Sequence, residues 1–125
     1  MALEEVLTSI TLPVATDYSA KQYYCMDVNT SGQAVLVAAA GARVVGVLQN
    51  NPDTAGYAGT VAIEGCTKVV AGAAITAGAI LMSDTDGTVI TATGTDAITV
   101  GIALETAADG ATFRMMFQAG KTDAA

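Results

Sequence analysis

Glycine and Asp-Gly dipeptides interrupt this chain so often that only short strands fit between them. The run Ala71-Gly72-Ala73-Ala74-Ile75-Thr76-Ala77-Gly78-Ala79-Ile80-Leu81 leads into Asp84-Thr85-Asp86-Gly87, and Val100-Gly101-Ile102-Ala103-Leu104-Glu105 follows. Apolar, β-prone segments cut at such intervals predict a chain of reversing strands.

On this basis strands are expected over 22–28, 33–38, 43–48, 60–64, 66–71, 79–83, 88–92, 98–104 and 112–118. Asn29-Thr30-Ser31-Gly32 and Asp84-Thr85-Asp86-Gly87 read as hairpin turns, because Asn, Asp and Gly adopt positive φ at little cost. Residues 50–56 read as a longer surface loop and Ala107-Ala108-Asp109-Gly110 as another turn. The fold class is therefore all-β, a small β-barrel or β-sandwich of short antiparallel strands with an extended N-terminal segment.

Three stretches are distinguished: an N-terminal arm or edge strand over 1–17, a β-domain over 18–120, and a frayed tail over 121–125. Leu3, Val6, Leu7, Ile10 and Leu12 are apolar, but Thr8, Ser9, Thr11 and Pro13 discourage a helix. The segment suits either a first edge strand or an arm that pairs with a neighbouring molecule.

An internal echo runs through the chain. Gly32, Gly46 and Gly65 recur 55 residues on as Gly87, Gly101 and Gly120, and Val45-Gly46-Val47 maps onto Val100-Gly101-Ile102. Two related βββ units are suggested.

Composition sets what holds such a fold together. Alanine occurs 25 times and glycine 13, against two Phe, four Tyr and no Trp among 125 residues. At roughly 25 cal/mol per Å² of buried apolar surface, an Ala/Val core recovers less free energy per residue than a Leu/Phe core. Association with other subunits is the expected remedy. Five basic and twelve acidic residues leave a net charge of −7, which repels phosphate backbones and anionic lipid heads. Neither nucleic acid nor membrane is an expected partner. No signal-like start or bilayer-spanning run is present, so a soluble product of a cytoplasm is expected. Cys25 and Cys66 lack metal-site spacing and read as two small buried hydrophobes in a reducing compartment, although one bridge between them remains open.

The usual reaction chemistry is missing. There is no histidine, which removes His-based nucleophilic triads and imidazole acid–base catalysis together. Asp84-Thr85-Asp86-Gly87 superficially resembles the start of a calcium loop, but the twelfth position is Thr95 where a glutamate is needed. Glu64 and Glu105 stand isolated at strand ends. No catalytic, cofactor-binding or metal-binding residue is expected, and the chain is not expected to be an enzyme.

The pattern Ala-x-Ile-x-x-Gly-x-x-Leu at 73–81, the acidic turn at 84–87, and Gly-Ile-Ala-Leu-Glu at 101–105 followed by a last strand carry a family resemblance. Over about Val61 to Gly120 the chain resembles the capsid decoration, or cement, proteins of tailed bacteriophages. That resemblance implies a virion protein on the outer capsid surface, made in the host bacterial cytoplasm. It implies a homotrimer that binds and stabilises the major capsid protein lattice, with Leu3, Val6, Leu7, Ile10 and Leu12 as contact residues. Deleting residues 2–12 is then expected to leave a folded domain that no longer binds expanded heads. Two other readings are kept: a carbohydrate-binding or fibre-tip virion domain, and a carrier-type β-domain, which needs a lysine at a hairpin tip.

Overall fold

The computed structural model describes residues 7–94 and 97–121. Nine strands form there: β1 (Leu7–Pro13), β2 (Cys25–Val28), β3 (Ala34–Leu36), β4 (Gly46–Leu48), β5 (Ala58–Val70), β6 (Ile80–Ser83), β7 (Val89–Thr91), β8 (Ile98–Ala103) and β9 (Thr112–Lys121). No helix occurs among the described residues. All strand pairs are antiparallel, in the order β3-β2-β4-β5-β9-β8-β6-β7, with β1 on β5. The all-β expectation holds, and the single sheet curls as part of a barrel.

The sequence reading splits residues 60–71 into two strands at Gly65. Instead β5 runs through that residue without ending. Gly65, at φ 106°, turns the strand enough for it to change partners. Its first part pairs with β4 through Val61 and Ala62, and its second with β9 from Gly65 to Val70. β1 lies along the opposite edge, from Leu7 opposite Gly65 to Pro13 opposite Ala58, with a bulge beside Ile63.

β5 thus joins two halves built to one plan. β2 and β3 recur 55 residues later as β6 and β7. In the first hairpin the Asn29 N–H donates to the Gln33 carbonyl (3.0 Å) and Gly32 sits at φ 78°. In the second the Asp84 N–H donates to the Thr88 carbonyl (2.7 Å) and Gly87 sits at φ 82°. Each half closes by a parallel bridge, Val14 to Ala34 in one and Ala71 to Val89 in the other.

The glycine echo is partly structural. A Cβ on Gly46 would strike the Ala62 carbonyl, and one on Gly101 the Met116 carbonyl, so both crossings demand glycine. The third pair differs: Gly65 bends β5, whereas Gly120 lies opposite Thr99 without a left-handed φ.

One position shows the plan stretched. The Gly78 N–H donates to the Ala103 carbonyl (2.8 Å) at φ 90°, and its counterpart Tyr23 donates to the Leu48 carbonyl (2.7 Å) at φ 70°. A tyrosine held left-handed costs about 1–2 kcal/mol. Its ring packs against the larger core, and the Lys68 ammonium lies 5.9 Å from the ring centroid. That left-handed turn is why β2 begins at Cys25 and not at residue 22.

Two apolar clusters follow. The smaller gathers Val14, Tyr18, Met26, Ala34, Leu48 and Val61 inside the first half. The larger includes Val69, Leu81, Val89, Val100, Phe113, Met115 and Phe117 from the second half, with Cys25 and Val47 from the first. The first half therefore forms one wall of the second half's core.

Candidate functional site

The expected contact residues lie on or before β1. Leu3 and Val6 fall outside the described residues. Leu7 starts β1, Ile10 points outward and is exposed, and Leu12 is half-buried against the smaller cluster. β1 pairs with β5 alone among the described strands, so its other edge stays open. Thr8, Ser9 and Thr11 are exposed there, and Pro13 ends the strand. An open edge of this kind accepts a further strand through main-chain hydrogen bonds.

Three of the described acidic side chains serve the fold. Asp84 accepts from the Thr85 N–H (2.8 Å), which shapes the hairpin turn. Asp86 accepts hydrogen bonds from the Thr88 hydroxyl and N–H, and the hydroxyl holds its carboxyl below the ordinary aspartate range. Glu105 accepts from the Arg114 N–H (3.1 Å) and pairs with the Arg114 guanidinium (3.0 Å). These contacts, the backbone N–H foremost, hold its carboxyl below the usual glutamate range. The first half places a neutral group at the same anchor, where Asn50 accepts from the Thr60 N–H (3.0 Å).

Elsewhere Arg43 pairs with Asp27 at 2.9 Å on the surface, and Lys21 lies 4.7 Å over the Tyr24 ring. Among the described residues no cluster of three or more His, Cys, Asp or Glu side chains is placed to hold a metal. Cys25 and Cys66 are both thiols, not a disulfide; full burial pushes Cys25 up to about 12. Lys68 lies within β5 rather than at a hairpin tip, which leaves the carrier reading without its displayed lysine.

An open groove of about 600 Å³ is lined by Asn50, Asn51, Pro52, Asp53, Gly56, Tyr57 and Ala58. It holds one carboxylate and one exposed aromatic ring, too few groups for proton transfer between a matched acid and base.

The sequence reading misses a row of exposed side chains, Ile80, Ile102 and Met116, across the outer face of β6, β8 and β9. Its signal is apolar character on both faces at the end of β8: exposed Ile102 and Leu104 flank buried Ala103.

The fold is similar to that of the head fiber gp8.5 N base in bacteriophage phi29, with a TM-score of 0.67 at 20% identity. That similarity covers 90% of this chain and 95% of the other. A search among curated proteins returns no match. The family model described as phage cement protein matches residues 26–117, both halves of the curled sheet included, and the chain belongs to that family.

Proposed function

We propose that this protein decorates the outer surface of a phage head, as a self-associated assembly, most simply a homotrimer, that ties neighbouring major capsid subunits together. The family match over residues 26–117 carries the reading. The described surface supports it, offering an open strand edge and no convergent reactive groups, as befits a protein that binds without catalysing. One assembly touching several capsid subunits adds buried area at each contact, so separating any pair of subunits costs more. The contact is assigned to the N-terminal segment: Leu3 and Val6 lead into β1, whose open edge and outward Ile10 would take a capsid strand.

Deleting residues 2–12 tests this poorly, because it also removes most of β1 from β5. Removing only residues 2–6 spares every described strand. The shortened protein should melt as the full chain does and lose co-sedimentation with expanded heads. Full occupancy by the shortened protein would exclude a contact through Leu3 and Val6 and leave it to the β1 edge alone, and indifference of the full chain to heads would defeat the whole reading.

A second reading, a carbohydrate-binding or fibre-tip domain, draws on the Asn50–Ala58 groove with its exposed Tyr57. A glycan array on which the protein finds no ligand would dispose of it.

A further inference from the structure

The internal duplication supplies its own control experiment. In the first half Cys25, Val47 and Ala62 stand side by side across β2, β4 and β5. In the second half Ile80, Ile102 and Met116 stand side by side across β6, β8 and β9, at offsets of about 55 residues. The first row is fully buried, whereas the second is 54%, 41% and 40% exposed. What covers Cys25 and Val47 is the core of the second half, including Leu81, Val100 and Phe117. One row is therefore roofed by a copy of its own unit, and its larger, more apolar counterpart is bare.

The charges around the bare row also suit a like partner. Cys66 continues the row opposite Met116, and exposed Leu104 lies beside it. Arg114 and exposed Lys68 are balanced by Glu105 and exposed Glu64. Two cations against two anions make this face locally neutral on a chain of net charge −7. Two copies can meet here without the repulsion that the rest of the acidic surface imposes.

We propose that this face is a self-association surface, in which a second copy of this chain covers Ile80, Ile102 and Met116. The inference deepens the self-association in the reading above and rests on that part alone, independent of capsid binding. Four strands about 4.8 Å apart make a patch roughly 14 Å wide. A single row of that width is a fraction of the roughly 800 Å² that a standard interface takes from each partner. The row is thus the centre of a contact that forms with rising concentration.

Sedimentation equilibrium from micromolar to millimolar protein tests this. The weight-average mass of the full chain should at least double across the range, while Ile102→Glu and Ile80→Lys stay monomeric with unchanged far-UV circular dichroism. Two variants on different strands guard against local damage to either. In the full chain, labelling of Cys66 should slow as concentration rises, and in the variants it should not. A monomeric full chain at every concentration, or variants that associate as it does, would overturn the proposal. Co-sedimentation with heads is scored separately: a monomeric full chain that binds heads sinks self-association and this face with it but leaves capsid binding standing, variants that associate as the full chain does sink this face alone, and heads ignored by an associating chain sink the capsid reading alone.

Discussion

The two halves share a hairpin, a glycine crossing and a closing bridge, yet they are finished differently. The first half's sheet is covered on both faces, by its own small cluster on one side and by the second half's core on the other. The second half's sheet is covered on its inner face only, and its outer row is bare. The same division marks the anchor after the crossing strand, neutral Asn50 in one half and ionised Glu105 in the other. It marks the left-handed position too, Tyr23 against Gly78. Equivalent backbones therefore tolerate different side chains once their surroundings differ, and covering decides which substitutions matter.

The most severe test of the comparison is a methyl group at each crossing. Gly46→Ala and Gly101→Ala both drive a Cβ into a neighbouring carbonyl and should each lose about 3 kcal/mol in chemical denaturation. Because the larger cluster draws on both halves, each variant should unfold in one transition; two transitions would mean that the halves are separate folding units.

Truncating equivalent row positions sharpens the contrast. Val47→Ala opens a hole in a packed core and should cost about 2 kcal/mol, while Ile102→Ala on the bare row should change the stability of dilute protein by less than about 0.5 kcal/mol. Equal losses would show that Ile102 is covered already.

Acid should separate the two anchors. The folded-state pKa of Glu105 lies below its unfolded value, so its contribution is present above the unfolded value and is lost as pH falls through the folded one. Stability should therefore decline below about pH 4, and Glu105→Gln should flatten part of that decline. Asn50→Ala should leave its slope unchanged, because an amide does not titrate. Thermal melts across the acid range measure both.

The mildest probe is thiol labelling at low protein concentration. Cys25 belongs to the covered row, with burial holding it protonated, and Cys66 continues the bare one. A disulfide reagent should modify Cys66 well before Cys25. Equal rates would indicate that the first half's row opens as readily as the second's.

Much of this architecture is legible in the residues. Asn29 to Gly32 and Asp84 to Gly87 announce both hairpins through their tolerance of positive φ, and the 55-residue spacing announces the shared plan. Gly65 misleads, because glycine bends a strand as readily as it ends one, and only the partners on each side tell the cases apart. The covered and bare rows are equally opaque: alternation separates the faces of a strand but does not say what lies on either. Of the contact residues read from the N-terminus, Ile10 faces outward as a contact would, while Leu12 leans into the core.

β5 carries a mechanical consequence. It is held lengthwise by β1 and β4 in its first part and by β9 in its second. A tension that drags one half away from the other along this strand loads those ladders in shear, many hydrogen bonds at once, instead of peeling them one by one.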